Sequence, residues 1–533
     1  MSKDSAFAPS RPLGAQISHM LKDRGVDVIF GIPGVHNQEM YRGIEEAGIT
    51  HVLARHEQGA GFMADGYARA SGKPGVAYVI SGPGLCNIMT PMGQAYSDSV
   101  PLLVISSCLD ETAATKGQLH QMKDQRAAAE TVCDWAEEAR SVDAAYALID
   151  RALLEFETNR PRSKSISVPI QLLESQAAAA PSRADIEPLR CDDNAAAEVL
   201  LSHLTGAQRP LFVFGGGVGT EFARSVAEAT GAATITTYAG RGIVGDYPLN
   251  FGSSLARPSS ADVIGSADVV IAMGTELADV DLWRAHLGHK AVLIRVDIDP
   301  VVLGDRQRAD IQIKARSTDA LASLAGLLDS HVPAKGWSLS EIADQRALWR
   351  AEMIAERPGI VPVCDALRDC LPDGTMIYSD MTQFAYTAKE VWDMDKPGHW
   401  HHPSGFGTLG YATPAAIGGA MARNGLPTMA IIGDYGFQYT VQELAVAVEL
   451  KLPIPIFLWD NGKLGEIEDS MVRAQIAPNA VHQRNPDFIK LADAFGAYWA
   501  RPKTLSQMQD AVRNAFDADG PTLIHVTSDI EQS

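Results

Sequence analysis

One feature constrains the fold of this chain more than any other: short apolar runs alternate with amphipathic stretches from one end of the sequence to the other. Parallel strands need a long crossover connection between them, and a helix usually supplies it. Repeated strand-helix units therefore predict the α/β class, with parallel sheets covered by helices, rather than sandwiches or bundles. The predicted strands are 26–30, 51–54, 75–81, 101–106, 210–214, 233–236, 267–273, 291–296, 375–379, 428–433 and 453–459.

Two interruptions divide this rhythm into three parts. The stretch 178–183 (AAAPSR) is typical of a linker, and the pattern is blurred again near 335–337. A chain of 533 residues is also too long for one ordinary domain. We therefore predict three α/β domains, over 1–180, 189–335 and 350–530, each with a central parallel sheet flanked by helices.

Charge and hydropathy argue against several classes of partner. The chain has 45 Lys+Arg against 65 Asp+Glu, a formal net charge of −20, and no basic run that suits a phosphate backbone. No run approaches the roughly 20 apolar residues that span a bilayer, so we expect neither a nucleic-acid nor a membrane partner. The first ten residues lack an apolar signal core, which predicts a cytoplasmic protein. The cysteines, among them Cys191, are dispersed and predict reduced thiols.

The segment 431–468 carries the clearest chemistry. An apolar strand ends at Gly433 and Asp434, and the next strand ends at Asp460 and Asn461 after the length of one helical crossover. Open parallel sheets bind ligands at the carboxyl ends of their strands, so we expect Asp434 and Asn461 to lie close together. Magnesium prefers hard oxygen ligands of this kind, which predicts a Mg²⁺ site at this edge.

The same segment predicts contacts to a diphosphate. Gly433 and Gly436 leave the backbone bare, so that amide groups and the start of the following helix can approach a phosphate. Thr440 and Glu443 have the spacing of a capping box, which predicts that they begin that helix.

A second informative segment, 55–72, reads RHEQGAGFMADGYARASG. It follows a predicted strand, begins its helix at Glu57 and is so rich in small residues that another element must pack closely on it. A further strand is followed by Ser81-Gly82-Pro83-Gly84, with Asn87 three residues beyond.

These segments resemble the thiamine-diphosphate enzymes of the acetolactate synthase and 2-oxo acid decarboxylase family over nearly the whole chain. The family motif is Gly-Asp-Gly, a crossover and Asn-Asn. Here the corresponding residues are Gly433-Asp434-Tyr435 and Asp460-Asn461, so each half departs from the motif at one position. The resemblance implies that Asp434, Asn461 and the main-chain oxygen of Lys463 bind Mg²⁺.

The resemblance also assigns Glu57 to catalysis. The cofactor must lose a proton from its thiazolium carbon, and in this family a glutamate bonded to the aminopyrimidine ring promotes that loss. Leu409 is expected to be the apolar wedge that supports the bent cofactor, and the carbonyl of Gly407 to accept a hydrogen bond from it. The implied cofactor contacts are Ser81, Gly82, Pro83 and Asn87 in the first domain, and Gln383, Gly407, Leu409, Gly433, Tyr435 and Gly436 in the third.

In such enzymes the first domain binds the pyrimidine, the third binds the diphosphate and Mg²⁺, and a Rossmann-like domain lies between them. Each site combines the first domain of one subunit with the third domain of another, so the resemblance implies a homodimer or homotetramer. FAD is a less expected cofactor, because residues 274–280 (GTELADV) depart from the Gly-x-Arg-Phe-Asp-Asp-Arg string of FAD-binding members.

The implied reaction is non-oxidative decarboxylation of a 2-oxo acid, by addition of the cofactor ylide and loss of CO2. The strings at 31–36, 55–76 and 405–412 are similar to bacterial decarboxylases that act on 5-guanidino-2-oxopentanoate. Glu466 offers a carboxylate for such a guanidinium, whereas Lys123 favours an anionic substrate instead. Further substrate candidates are His36, Gln118, His120 and Gln121.

Two alternatives stay open at this point. The first is a carboligase, similar to acetolactate synthase, that joins 2-oxo acids. The second belongs to another class, a non-catalytic relative that binds thiamine diphosphate without turning over a substrate. The three functions share one fold, and the residues of the substrate pocket decide between them.

Overall fold

The computed structural model of the protein describes residues 10–110, 117–183 and 193–532. Within these residues the chain forms three parallel sheets flanked by helices, which confirms the predicted α/β class. Each of the three sheets takes its strands from one continuous stretch of the chain.

The first stretch contains eight strands and seven helices. The strands are β1 (Arg11–Pro12), β2 (Val28–Gly31), β3 (Thr50–Leu53), β4 (Gly75–Val79), β5 (Leu102–Cys108), β6 (Trp135–Glu138), β7 (Lys164–Pro169) and β8 (Gln176–Ala177). The helices are α1 (Leu13–Asp23), α2 (Gln38–Glu46), α3 (Glu57–Ser71), α4 (Pro83–Ser97), α5 (Gln125–Glu130), α6 (Val142–Thr158) and α7 (Ile170–Glu174). The sheet has the order β3-β2-β4-β5-β7-β6, and β1 pairs separately with β8.

The middle stretch forms a five-stranded sheet in the order β10-β9-β11-β12-β13. Its strands are β9 (Pro210–Phe214), β10 (Ala233–Thr236), β11 (Val269–Met273), β12 (Val292–Asp297) and β13 (Ile311–Lys314). Its helices are α8 (Asn194–Leu204), α9 (Thr220–Thr230), α10 (Ser260–Gly265), α11 (Asp279–Leu282), α12 (Pro300–Leu303) and α13 (Ser317–Ala325).

The third stretch forms a six-stranded sheet in the order β15-β14-β16-β17-β19-β18. Its strands are β14 (Met376–Ser379), β15 (Trp400–His401), β16 (Thr428–Gly433), β17 (Pro455–Asp460), β18 (Tyr498–Ala500) and β19 (Thr522–Thr527). Its helices are α14 (Leu339–Glu356), α15 (Ile360–Arg368), α16 (Gln383–Val391), α17 (Ala412–Arg423), α18 (Asp434–Tyr439), α19 (Leu444–Glu449), α20 (Gly465–Arg473), α21 (Phe488–Phe495) and α22 (Leu505–Phe516), with a 3-10 helix at Val441–Glu443.

The predicted strands are all present, with ends that move by one or two residues. The pattern does not predict β1, β6, β7, β8, β13, β15, β18 or β19. In β7 (KSISVP), polar residues alternate with apolar ones, yet the polar side chains are buried as well. The Lys164 ammonium is ion-paired with Asp134 and Glu155. The strand therefore has no exposed polar face, although its sequence contains a lysine.

Helices α3 and α17 lie between the first and third sheets, whose apolar faces share one hydrophobic core. A Cβ atom added at Gly66 would lie 2.0 Å from the carbonyl oxygen of Ala415, and one added at Gly418 would lie 1.8 Å from that of Met63. The backbone of α17 therefore explains Gly66 of α3, which is close packing of the kind predicted for this helix. This contact fixes the helix that begins with Glu57 against the third sheet.

We expect Gly418→Ala to destabilise the protein, because the added methyl group meets backbone and has no room to move. Overpacking of this kind typically costs about 1–3 kcal/mol. The matched control is Gly326→Ala, at the C-cap of α13, where φ is -66° and the nearest atom to the added Cβ is at 3.5 Å. A thermal unfolding midpoint that falls by several degrees in the first variant and not in the second is the expected result. Equal midpoints would contradict the close packing of α3 on α17.

In the described residues, no helix is both long enough and apolar enough to cross a lipid bilayer. The cysteines there, Cys86, Cys108, Cys133, Cys364 and Cys370, are free thiols. Cys191 lies outside the described residues.

Candidate active site

The predicted metal residues meet at one edge of the third sheet. Strands β16 and β17 are parallel neighbours, and Gly433 is paired with Trp459. Asp434 and Asp460 therefore follow side by side, with Asn461 one residue further on. Helix α18 begins at Asp434, earlier in the chain than the predicted helix start at Thr440, so the first turn of a helix faces the same edge.

Polar side chains from a later loop complete this edge. Asp434 Oδ2 accepts hydrogen bonds from the backbone N–H of Gly462 at 3.1 Å, from Gln483 at 3.0 Å and from Asn485 at 2.7 Å. Asn485 also donates to Asp460 at 2.8 Å. Sequence analysis missed Gln483 and Asn485, since they follow no strand and belong to no motif.

The electrostatics of this edge favour a cation. Burial and the neighbouring Asp460 carboxylate raise the pKa of Asp434, which means that negative charge is poorly compensated there. A bound divalent ion would supply the missing charge. The described residues contain no cluster of three His, Cys, Asp or Glu side chains that suits a metal. The expected site therefore depends on amide and main-chain oxygens beside one carboxylate, a hard oxygen set that fits Mg²⁺.

Asn461 and Lys463 lie beside Asp434 in the turn after β17. The Asn461 Oδ1 atom accepts a bond from the Lys463 N–H at 3.3 Å, and its amide nitrogen lies 3.4 Å from Gln383 Oε1. The Lys463 ammonium is ion-paired with Glu468, so only its main-chain oxygen is offered as a ligand. The structure thus brings Gln383 next to the predicted metal residues.

The predicted capping box of Thr440 and Glu443 is wrong. Thr440 caps no backbone amide with its side chain, and its hydroxyl instead donates to the carbonyl of Gly410 at 2.8 Å. Glu443 accepts from the backbone N–H of Arg55. Both side chains have partners from distant parts of the chain, and these tertiary contacts replace the local one.

Asp380 is a second residue that sequence analysis passed over in favour of its neighbour Gln383. It directly follows β14, has no exposed surface and accepts from the N–H groups of Met381 at 2.7 Å and Ala412 at 3.4 Å. A Cβ added at Gly436 would lie 3.3 Å from its carboxylate. Burial raises the pKa of Asp380 to about 6. The sequence signal that could have identified Asp380 is its position directly after a strand, which it shares with Asp434.

The loop that carries Gly407 and Leu409 is held by the first domain. Thr408 donates to Gln94 at 3.0 Å, and the N–H of Gly405 donates to Asp98 at 2.7 Å. Gly407 has a φ of 69°, which favours glycine. Leu409 is half-buried beside it. The proposed wedge therefore lies on a loop whose ends are fixed by buried polar groups.

The remaining cofactor residues form a second cluster in the first domain. Glu57 is the first residue of α3 and is only 8% exposed, and its Oε2 accepts a hydrogen bond from Asn87 at 2.8 Å. Pro83 begins α4, just after Gly82, whose φ is 63°. The structure thus brings Glu57, Asn87 and the Gly82 turn together.

Gln125 fixes this turn and was missed. Its Oε1 accepts from the N–H of Gly82 at 3.0 Å, while its amide nitrogen donates to Ser106, Ser107 and Ser167. The Ser81 and Ser107 hydroxyls are 3.0 Å apart. Gln125 begins a short helix in a polar stretch, where nothing in the sequence distinguishes it from an exposed residue.

Two of the substrate candidates lie against the same turn. The rings of His36 and His120 are 5.0 Å apart, and His36 Nδ1 is 3.0 Å from the Ser81 hydroxyl. Burial and the nearby His120 lower the pKa of His36. Gln118 and Lys123 are exposed, and the Gln121 side chain accepts from the Gln118 N–H at 3.1 Å.

Glu466 lies in the other cluster, at the start of α20, and is already ion-paired with Arg357 at 3.0 Å. Arg473 lies 3.5 Å from its second oxygen. Asp469, on the same helix, accepts a hydrogen bond from Gln383 at 2.8 Å. Because Gln383 also contacts Asn461, Asp469 is linked to the predicted metal residues through Gln383, whereas Glu466 is not. Glu466 therefore has a charged partner within its own domain.

No hydrogen bond joins the first-domain cluster to the third-domain cluster in the residues that the structure describes. A cavity of about 440 Å³ lies elsewhere, between the three domains, and no predicted site residue lines it. Its walls include Arg160, Arg241, Glu276 and Asp297.

The chain matches three profiles of one protein family. They are described as the thiamine pyrophosphate enzyme N-terminal TPP binding domain at residues 11–128, central domain at 197–324 and C-terminal TPP binding domain at 380–526. Thiamine pyrophosphate is thiamine diphosphate under another name. Together with the two clusters, these matches show that the chain belongs to the thiamine-diphosphate enzymes.

Individual relatives narrow the comparison. The chain is 40% identical over 525 residues to a probable 2-ketoarginine decarboxylase of Pseudomonas aeruginosa, covering 96% of this chain and 93% of the relative. It is 27% identical to the acetolactate synthase isozyme 1 large subunit of Escherichia coli, covering 100% and 96%. The acetolactate synthase of Mycobacterium bovis is 29% identical, with 94% of this chain and 85% of the relative covered.

Proposed function

We propose that the protein is a thiamine-diphosphate- and Mg²⁺-dependent decarboxylase of a 2-oxo acid. The observation that carries the proposal is the nearly buried Glu57 carboxylate at the start of α3, oriented by Asn87 beside the Gly82 turn. The 40% identity to a relative described as a probable 2-ketoarginine decarboxylase supports the reaction type.

Each cluster has a distinct part in this proposal. When bound, thiamine diphosphate supplies an electron sink for the pair released as carbon dioxide leaves. Glu57 would hold a proton at the aminopyrimidine ring nitrogen, and Asn87 orients its carboxylate. Asp434, Asn461 and the Lys463 main-chain oxygen would hold Mg²⁺ and thereby the diphosphate. Tyr435, Gly436 and the start of α18 would offer N–H donors to the phosphate oxygens.

We propose a cationic 2-oxo acid, such as 5-guanidino-2-oxopentanoate, as substrate. Helix α20 begins beside Gln383 and carries Glu466 and Asp469 within one turn. Arg357 already compensates Glu466, which leaves Asp469 as the better placed acceptor for a guanidinium.

The identity to acetolactate synthases over nearly the whole chain keeps a carboligase as the second candidate. We further propose a homodimer or homotetramer, because the two clusters are separate within one chain.

FAD is the less favoured cofactor. Glu276 lies in the segment 274–280 that departs from the FAD-binding motif, and it is ion-paired with Arg162 at 2.7 Å. Purified protein without a flavin absorption band is the expected result.

The test is a panel of 2-oxo acids assayed with purified protein, thiamine diphosphate and Mg²⁺. We expect carbon dioxide and the matching aldehyde from 5-guanidino-2-oxopentanoate. Its kcat/KM should be at least about 100-fold above that for pyruvate, which corresponds to a difference of about 2.7 kcal/mol in activation free energy. Acetolactate from pyruvate would favour the carboligase. Cofactor binding without turnover of any 2-oxo acid would favour the non-catalytic relative.

A further inference from the structure

A buried carboxylate from the third domain lies at the helix that begins with Glu57. Glu443 ends the 3-10 helix Val441–Glu443 and has no exposed surface. Its two oxygens accept from the backbone N–H of Arg55 at 3.2 and 3.1 Å. Arg55 stands two residues before the first residue of α3, where N–H groups have no partner within the helix.

The first turn of α3 leaves room for this carboxylate. A Cβ atom added at Gly59 would lie 2.3 Å from both Cδ and Oε1 of Glu443. Gly59 is helical without positive φ, so the space for Glu443 accounts for a glycine that helix geometry does not require. Arg55 also forms an ion pair with Glu449, whose side chain is 58% exposed.

A buried carboxylate is costly unless donors compensate it. Burial raises the pKa of Glu443 to about 7, and the N–H groups of Arg55 and His56 act in the opposite direction. The partial positive charge at the start of a helix adds to this compensation. The carboxylate is therefore held by the backbone that leads into Glu57, and that backbone is held by the carboxylate.

We propose that Glu443 is a positioning residue, which fixes the first turn of α3 and so the direction of the Glu57 carboxylate. This inference rests on the proposed role of Glu57. In the described residues the hydrogen bonds of the Glu443 side chain go to the backbone N–H of Arg55 and not to the predicted metal residues or Asn87, so its effect passes through the backbone of residues 55–59. It thereby links the third domain, which carries the predicted metal residues, to the placement of Glu57.

The test compares Glu443→Gln with Glu449→Gln, which removes an exposed partner of the same Arg55. Displacement of a reacting group by about 1 Å costs on the order of 100-fold, so we expect kcat in Glu443→Gln to fall by about 10- to 100-fold. The apparent affinity for thiamine diphosphate should stay within about threefold, because Asp434 is unchanged. Exposed ion pairs contribute little to stability, and in the described residues the Glu449 carboxylate bonds to the Arg55 side chain rather than to the first turn of α3, so Glu449→Gln should keep nearly full turnover.

A second arm uses the contact with Gly59. Gly59→Ala alone should lower kcat in the same way as Glu443→Gln. The double variant Gly59→Ala with Glu443→Ala should have a kcat no lower than that of Gly59→Ala alone, because the added methyl group then occupies the space that the Glu443 side chain has left. In the cofactor-free protein, amide hydrogen exchange over residues 55–60 should be faster in Glu443→Gln and unchanged in Glu449→Gln. This readout does not depend on turnover.

The outcomes separate the two claims. Unchanged kcat and unchanged exchange in Glu443→Gln, while Glu57→Gln is inactive, would overturn the role of Glu443 alone. Equal losses of kcat and cofactor affinity, with faster exchange throughout the protein, would show a general structural role and would also overturn it. Failure of the wild-type protein on every 2-oxo acid would reject the proposed function, and the exchange rates would still decide whether Glu443 fixes α3.

Discussion

Glu57→Ala is expected to reduce turnover by about 10²- to 10⁴-fold, the usual contribution of a positioned acid or base. Cofactor affinity should change little, because the predicted diphosphate and Mg²⁺ contacts lie in the other cluster. Glu57→Gln is the more conservative variant, since its side-chain oxygen can still accept from Asn87. We expect the same loss in both variants, measured as kcat on the best 2-oxo acid with calorimetry for cofactor binding.

The matched control is Glu39→Gln. Glu39 is also 8% exposed and lies in the first turn of a helix of the same domain, but it is ion-paired with Arg42. It should retain kcat within a few-fold even if stability falls. Near-normal turnover in Glu57→Gln, or equal losses in the two glutamine variants, would contradict a specific role for Glu57.

Asp434→Ala is expected to weaken the binding of thiamine diphosphate and Mg²⁺ by at least about 100-fold. Loss of a residue that supports a metal ligand typically lowers the metal affinity by about 10- to 100-fold, so loss of a ligand itself should lower the affinity by at least the larger factor. Turnover should be recovered in part at high cofactor and metal concentrations. Titration calorimetry measures the affinities, and activity at saturating cofactor measures the recovery.

Stability provides the check on this variant. Asp434→Ala leaves the three donors to Asp434 Oδ2 without that acceptor, so we expect the cofactor-free protein to lose about 1–3 kcal/mol of stability. A circular dichroism spectrum that matches the wild type at the assay temperature then distinguishes lost binding from unfolding. Asp493→Asn, at an exposed position of the same domain, controls for the change in charge. Unchanged affinity in Asp434→Ala would reject the metal site.

The apolar pattern predicts most of the central strands, but it misses the buried polar strand β7 and also the largely apolar strand β19. Strand β16 follows its apolar pattern over Thr428–Gly433, and the register with β17 places Asp434 beside Asp460 as expected. Strand β7 is missed because Lys164 and Ser167 of that strand are buried with partners from other elements. Burial of that kind depends on tertiary neighbours, which a local pattern does not contain.

The same distinction holds for the candidate site. Asp434, Asn461 and Glu57 stand at strand ends or helix starts, where position alone signals chemistry. Gln125 and Asn485 act through hydrogen bonds to residues far along the chain, and neither belongs to a motif. Glu443 shows the reverse failure, since its local spacing matches a capping box while its partner is Arg55 of another domain. Spacing identifies the groups, but the fold selects their partners.

The central claim is that Glu57 activates bound thiamine diphosphate for attack on a 2-oxo group. The most direct test measures the rate at which the thiazolium proton of the bound cofactor exchanges with deuterium, by rapid quench and nuclear magnetic resonance, without substrate. The wild-type protein should accelerate this exchange by orders of magnitude over free cofactor, and Glu57→Gln should return it to near the free rate. Equal exchange rates for wild-type protein and Glu57→Gln, with cofactor bound to both, would contradict the account.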